Sequence, residues 1–477
     1  MALEFKAVDR DSPMLLPPDL RDWLSEDHLA WLVLEVVGQC DLSAIMATFR
    51  RGSTGRQAYD PAMLTALLIY SYCQGMRSSR MIERACVTDV AVRVIAAQQR
   101  PDHTTLARFR SRHAAALADL FGQVLAICGR AGMGHVGIVA VDGTKVAGQA
   151  SPRKNYTAKT YQKMAADIVD EAGETDTAED ALFGEDNRGD EMPDGLAPGA
   201  NRAARIKEAQ RRIDAEKQAA VDADVEVAER KLVRARHKAA AERDWIDRPR
   251  TSNRKRPPRR VPPEEQVKIK RADQRVVAVE AELAQARAGQ GRRAKDLDPV
   301  CNISDPDSHI MFVRGKGFLQ GFNAQVVVSD DHLIVATDVT ADTSDRPSFV
   351  PMMNQAVGNA AAHLGGAIEL VLADAGYCHI DALTADGPDR LIATGRQPDE
   401  PSQPSRNQHT LAMAARLKPD SPDRARYQRR QATVEPVIGH LKDRIGLRRF
   451  ARRGLKAAQH ELALAATAHN IRRLALS

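Results

Sequence analysis

Two short apolar runs in this chain each end on an aspartate. The first is Gly137-Ile-Val-Ala-Val-Asp142, followed at once by Gly143, Thr144 and Lys145; the second is Ile368-Glu-Leu-Val-Leu-Ala-Asp374, followed by Ala375 and Gly376. β-Branched runs of this length predict buried strands, each delivering one negative charge to the rim of a sheet. A third acid, Glu435, stands between a basic stretch and a helical pattern. Three carboxylates far apart in sequence, two of them on strand ends, are a donor set for Mg²⁺ or Mn²⁺, hard cations that take a few carboxylates and complete their shells with water and phosphate oxygens. Two such ions about 3.5–4 Å apart serve phosphodiester chemistry, one activating the attacking oxygen and the other stabilising the leaving one. Each acid also has a plainer reading. Asp142-Gly143 suits a hairpin turn, Asp374 can cap a helix, and Glu435 can be one exposed acid among many.

These acids need a rigid frame, and the chain supplies one around them. Gly321–Val328 and Leu333–Val339 are β-branched runs separated by the polar turn Ser329-Asp-Asp-His332, which predicts a hairpin. Helical spacing follows over 348–362, then the strand 368–373, a short helix near 379–384 and a strand at 390–394. Residues 395–409 are polar and predict a loop. The block 410–475 is helical and basic. Pro436 follows Glu435 directly, so a helix either begins there or kinks there. Lys442, seven residues past Glu435, lies near the same helical face and is a candidate phosphate contact, as is Lys145. Asp443 is a weaker acidic alternative to Glu435. Arg448, Arg449, Arg452 and Arg453 form a cluster suited to a nucleic-acid backbone.

In front of the strands, residues 18–132 read as helices. Ser25 is a candidate cap for the first, Asp60-Pro61 opens another, and Asp102 precedes a helix bearing Arg108, Arg110 and Arg112. An arginine-bearing helix closing a compact bundle suits DNA contact, with a basic packing or dimerisation domain as the alternative. Between about 150 and 300 strand-like sequence stops. Residues 151–200 are polar and predict a loop. Ile206, Ile213, Ala220 and Val227 then recur seven apart, a basic proline-rich connector spans 247–263, and Ile269, Ala272, Val276, Val279 and Leu283 alternate three and four apart. Two helices joined in this way predict an antiparallel, coiled-coil-like hairpin.

The chain has 477 residues, 43% of them hydrophobic and 28% charged, with a formal net charge of +6. That is a globular composition with room for roughly three domains, and its basic clusters at 249–260 and 442–456 point to nucleic acid. None of the six cysteines forms a Cys-x-x-Cys pair, which disfavours a zinc or redox motif and suits a reducing compartment. The start of the chain lacks a signal-type apolar stretch and no run reaches ~20 apolar residues, so the expected location is cytoplasmic, without membrane contact.

With these residues in view, the chain resembles the DDE transposases of bacterial insertion sequences. The resemblance rests on Val141-Asp-Gly-Thr-Lys145, on Leu372-Ala-Asp-Ala-Gly-Tyr377, and on the stretch from Tyr427 through Arg430, Glu435 and Pro436 to Lys442. Asp305–Ser308 and Lys316–Gln325 support it, and it covers nearly everything outside 151–300. The group's signature is Tyr, two residues, Arg, three residues, Glu, six residues, Lys; here four residues separate Arg430 from Glu435. The resemblance implies an α/β fold, an RNase H-like mixed sheet flanked by helices, with an N-terminal all-α domain and a helical insertion. The implied organisation is a helical DNA-binding or dimerisation domain over 1–132, the catalytic domain in two parts over 133–150 and 301–477, and the insertion over 151–300. It implies that Asp142, Asp374 and Glu435 hold two Mg²⁺ ions, with Mn²⁺ as a substitute. It implies that Lys145, Tyr427, Arg430, Lys442, Arg448, Arg449, Arg108 and Arg112 meet DNA. The implied reaction is cutting at the ends of a mobile element and joining to target DNA, by a homodimer or larger assembly. The alternatives on the same scaffold are a DNA-binding protein without catalysis and a metal-dependent nuclease that does not join strands.

Overall fold

The computed structural model describes residues 19–49, 58–167, 198–247, 266–313, 315, 317–395 and 408–477. The polar stretch expected over 168–197, the basic connector over 248–265 and the loop over 396–407 lie outside these residues. The chain divides into two compact units, one formed by 1–150 with 307–477 and the other by 151–306.

The first unit opens with helices α1 (Leu29–Gln39), α2 (Pro61–Cys73), α3 (Ser79–Thr88), α4 (Val90–Ile95), α5 (His103–Arg112) and α6 (Ala114–Arg130). The caps follow from side chains that satisfy the free N–H groups of a first turn. Asp60 accepts from the N–H groups of Ala62 and Met63 at 2.6 and 3.0 Å, and Asp102 accepts from Thr105 at 2.8 Å. The cap of α1 is not Ser25 but His28, whose Nδ1 accepts from Ala30 at 3.1 Å. Helix α2 is buried along every residue from Leu64 to Cys73. A helix apolar all round belongs inside a core, and α2 lies inside this one.

Strand β1 (Ile138–Ala147) follows. The second unit then begins with β2 (Asn155–Thr157), continues through the long helices α7 (Pro198–Asp247) and α8 (Val267–Arg287), and closes with β3 (Val300–Asn302), which pairs antiparallel with β2. Residues 151–167, expected as part of a polar loop, fold into a short strand and helical turns. Tyr161 is fully buried against Ile206, Ala209 and Ile213, and its hydroxyl donates to the Cys301 carbonyl at 2.8 Å. Helices α7 and α8 are antiparallel, with ion pairs running from Arg243–Asp273 through Arg236–Glu280 and Lys231–Glu282 to Arg287–Glu229. Their apolar seam is Ala228, Leu232, Val279, Leu283 and Ala286. Val227, expected on that seam, is 39% exposed; the inward row runs through Ala228 and Leu232, a four-residue step.

The first unit resumes with β4 (His309–Val313), β5 (Gly317–Ser329), β6 (Ile334–Thr340), α9 (Phe349–Asn359), β7 (Leu370–Ala373), β8 (Asp389–Ile392), α10 (Gln408–Arg416), α11 (Pro422–Asp443) and α12 (Leu455–Leu474). The sheet order is β4-β5-β1-β7-β8, with β6 also on β5. β1 runs antiparallel to β5 and parallel to β7, and β7 runs parallel to β8. Alternation along the strands sends Ala140, Val146, Val326, Leu370 and Leu372 to one face and Val139, Val141, Val327, Val371 and Ala373 to the other. The first face packs on α11, α12 and the N-terminal helices, the second on α9.

Helix α12 is buried from Leu464 to Ile471 and touches α2, α6 and β6. Asn470 is wholly buried, and its carboxamide accepts from the Ile334 N–H and donates to the Ile334 carbonyl, both at 2.9 Å. Helix α11 runs unbroken through Pro436. Proline has no N–H for the carbonyl four residues earlier, that of Ala432; the His332 ring reaches that oxygen at 3.0 Å.

His332 in turn accepts through its carbonyl from His469 Nε2 at 2.9 Å, which leaves His469 Nδ1 to accept from His440 Nδ1, also at 2.9 Å. Burial pushes both rings down, His440 to about 4 and His469 to about 3, so both are neutral at pH 7. A histidine held below its ordinary 6.5 takes up a proton more readily unfolded than folded. Stability from this pair is therefore complete above pH 6.5 and is lost as the pH falls toward the folded values. His469, 3% exposed, is expected to cost the fold about 2 kcal/mol between pH 7 and pH 5. Urea midpoints of the protein and of His469→Gln across that range check this: the variant should lose much of the acid sensitivity.

Candidate active site

The parallel pairing of β1 with β7 ends at Val141 opposite Ala373. Asp142 is the next residue of β1 and Asp374 the first past the end of β7, so the two acids follow paired positions, close enough for each charge to act on the other. Strand β1 does not end at Asp142 as its sequence suggests. It continues to Ala147 against β5, with Asp142 opposite Val326 and Lys145 opposite Asn323. The Asp-Gly pair is therefore mid-strand rather than in a turn. Gly143 is needed there because a Cβ would stand 2.4 Å from Gln325 Nε2 and 2.7 Å from Asp345 Oδ1.

Asp374 begins a short turn and its Oδ1 accepts from the Gly376 N–H at 2.8 Å. Arg430, from the buried side of α11, places Nη1 3.2 Å from Asp142 Oδ2. Burial raises the Asp142 carboxyl above its usual range, Arg430 opposes that and Asp374 adds to it. Burial pulls Arg430 down, and Asp142, Tyr427 and Asp374 together outweigh it, so the guanidinium is held above its ordinary value. Tyr427, half-buried beside Arg430, is raised by burial first.

A further acid, Asp345, stands beside this pair without a sequence signal of its own. It lies in the polar stretch Thr343-Ser-Asp-Arg346, which carries no periodic signal. Its Oδ1 accepts from Lys145 Nζ at 3.2 Å, Asn323 Nδ2 at 2.7 Å and Gln325 Nε2 at 2.9 Å. Lys145 is thus engaged with a carboxylate inside the protein.

The remaining candidates lie elsewhere on the first unit. Glu435 is exposed, and its carboxylate accepts from Gln431 at 3.1 Å. Five residues beyond Arg430, it stands about 140° round the helix from it. Lys442 is partly buried near the end of α11. Arg448 pairs with Asp443, and Arg449 donates to the Gly148 carbonyl at 2.6 Å, closing the segment after α11 onto the end of β1. Arg108 and Arg112 are exposed on α5, and Arg112 donates to the Thr48 carbonyl at 3.0 Å. Arg110 turns inward to the Arg77 carbonyl at 2.7 Å, and Arg452 reaches Ser111 at 3.2 Å.

Among the described residues, no three His, Cys, Asp or Glu side chains stand together closely enough to hold a metal ion as arranged here. The pair formed by Asp142 and Asp374 does have the chemistry of a hard divalent cation site, which needs only one or two carboxylates when waters and phosphate oxygens complete it. Space for it is kept open: a Cβ on Gly376 would stand 3.0 Å from Asp374 Oδ1 and 3.4 Å from Asp345 Oδ2.

A mixed sheet covered by helices, with paired acids at a parallel strand end, makes the first unit an α/β fold. Comparison with known families makes this specific. The family described as Transposase domain (DUF772) matches residues 18–112, and the family described as Transposase DDE domain matches residues 399–475. Together they support an insertion-sequence DDE transposase, and the mixed sheet with its N-terminal helices is consistent with an RNase H-like DDE domain. No curated protein and no solved structure matches the chain. Among the described residues no helix is long and apolar enough to cross a membrane.

Proposed function

We propose that the chain cuts DNA at the ends of its element and joins the freed 3′ end to target DNA, using Asp142, Asp374 and Glu435. The observation that carries this reading is the position of Asp142 and Asp374, each directly after a paired residue at the end of the β1–β7 ladder. Asp142 and Asp374 would hold a divalent cation, with Glu435 brought in from α11. Such an ion, when bound, polarises a phosphate and supports attack by an oxygen nucleophile. Arg430 keeps the two partly buried acids compatible before DNA arrives, since its positive charge offsets their mutual repulsion. Tyr427, Lys442, Arg448, Arg449, Arg108 and Arg112 are proposed to meet phosphates, which position a duplex without reading its sequence. The helical segment over 1–132 is proposed to bind DNA or a second copy of the chain, and the working form to be a dimer or larger assembly in the cytoplasm.

A second reading, DNA binding without cutting, has one observation in its favour: Arg430 sits on Asp142, and Glu435 stands about 140° round α11 from Arg430 with its carboxylate engaged by Gln431. One assay separates the two. A labelled duplex carrying the DNA that flanks the coding region is incubated with the protein in Mg²⁺, in Mn²⁺ and in EDTA, alongside a pre-cut end with target DNA. Nicking and joining are expected with either metal and neither in EDTA. Binding without nicking in any metal would leave the second reading standing, and nicking without joining would make the protein a nuclease.

A further inference from the structure

We propose that Asp345 is a positioning residue for this site, holding the two aspartate-bearing segments at a fixed separation. The inference rests on the reading of Asp142 and Asp374 as the cation-holding pair.

Asp345 sits where the two segments meet. Lys145 and Asn323 are partners across β1 and β5, and so are Gly143 and Gln325. With Lys145, Asn323 and Gln325 all donating to one oxygen, Asp345 clasps two rungs of that ladder, and Asp142 occupies the rung beside them. Gln325 extends the chain of contacts, because its Oε1 accepts from the Tyr377 hydroxyl. Tyr377 is wholly buried and closes the short turn that begins at Asp374. One carboxylate therefore reaches the β1 acid through the ladder and the β7 acid through Gln325 and Tyr377. A simple counter-ion for Lys145 would not need two further amide donors. Nor would it need β1 to carry glycine at position 143, where a Cβ would stand 2.7 Å from Asp345 Oδ1. Asn323 is wholly buried, and its own Oδ1 has no hydrogen-bond donor among the described residues; its carboxamide is committed to Asp345.

The test is Mn²⁺ binding to the full chain, read from the electron paramagnetic resonance signal of the free ion, with unfolding midpoints measured in EDTA. Residues that orient a ligand typically change metal affinity about 10–100-fold when replaced. Asp345→Asn is expected to weaken Mn²⁺ at least about tenfold. Tyr377→Phe, which removes only one hydroxyl and leaves the packing, should weaken it in the same direction. The double variant should be no worse than the more affected single one, because both break one chain of contacts. Wild-type affinity in Asp345→Asn or Tyr377→Phe overturns the proposal, and so does an additive double variant. Should Asp345→Asn fail to fold, Tyr377→Phe decides it alone, wild-type affinity there overturning it. Asp374→Asn is the reference: if it and the wild type both bind no Mn²⁺, the cation reading itself falls. If only Asp374→Asn loses the ion while Asp345→Asn keeps it, the reading stands and the role of Asp345 does not.

Discussion

Asp142→Asn is expected to lower metal-dependent DNA nicking by about a hundred- to a thousandfold, the scale seen when one group that stabilises charge in a transition state is removed. The change is nearly isosteric. The two Asp142 oxygens accept separately, one from the Gly143 N–H at 2.8 Å and the other from Arg430 at 3.2 Å, so the single carboxamide oxygen keeps one of these contacts and its NH2 group turns to the other donor. What is lost is the negative charge that a divalent cation requires. The fold should tolerate this well. Burial already penalises the Asp142 charge, so a neutral side chain relieves that penalty, and Asp374 remains to offset Arg430. The two effects oppose each other, and the net change in stability is expected to stay within about 1 kcal/mol. Nicking at saturating Mg²⁺ and an unfolding midpoint on the same preparation check both halves. Retained nicking by a folded Asp142→Asn protein would remove Asp142 from the chemistry.

The largest loss of stability is expected from Glu461→Ala, on the order of 3–5 kcal/mol. Glu461 and Arg77 form an ion pair with side chains 4% and 11% exposed. Arg77 also donates to the carbonyls of Gly446 and Arg449, and Glu461 accepts from the Ala451 N–H at 2.8 Å. The pair thus fastens the segment between α11 and α12 to the turn between α2 and α3. Removing the glutamate leaves a guanidinium charge buried without its partner, and an N–H without its acceptor, which is the costly way to break such a pair. Replacing both, as Arg77→Met with Glu461→Leu, should cost less than Glu461→Ala alone, because no charge is stranded. Chemical denaturation of the single and double variants measures this. A loss below about 1 kcal/mol for Glu461→Ala would show that water reaches the site and that the pair is not a structural tie.

The residues at 137–142 and 368–373 declared themselves because a strand buried on both faces reads as an unbroken apolar run. Asp60 and Asp102 did so because capping is local chemistry. What depended on distant parts of the chain was not legible. Asp-Gly-Thr-Lys after Val141 looks like a turn, yet it is strand, because β5 supplies partners for it from nearly two hundred residues away. Pro436 looks like a helix boundary, yet α11 continues, because a histidine from the β5–β6 turn takes the stranded carbonyl. Of the candidate site, Asp142, Asp374 and Arg430 were all visible as residues, but the approach of Arg430 to Asp142 was not. Asp345 gave no signal because a lone acid in a polar loop is indistinguishable from solvent-facing sequence until its three donors are placed around it.

The burial of α12 has a consequence for how the protein is made. Its residues meet α2 and α6 near one end of the chain and β6 in the middle, and Asn470 completes the hydrogen bonding of Ile334. During synthesis the earlier helices and strands therefore wait on the ribosome with apolar faces uncovered until positions 455–474 have been translated and have cleared the exit tunnel. Contacts spanning nearly the whole length close slowly and leave the waiting segments prone to aggregation. A message cut short before that point would yield a chain that chaperones and proteases recognise, rather than a partly working enzyme.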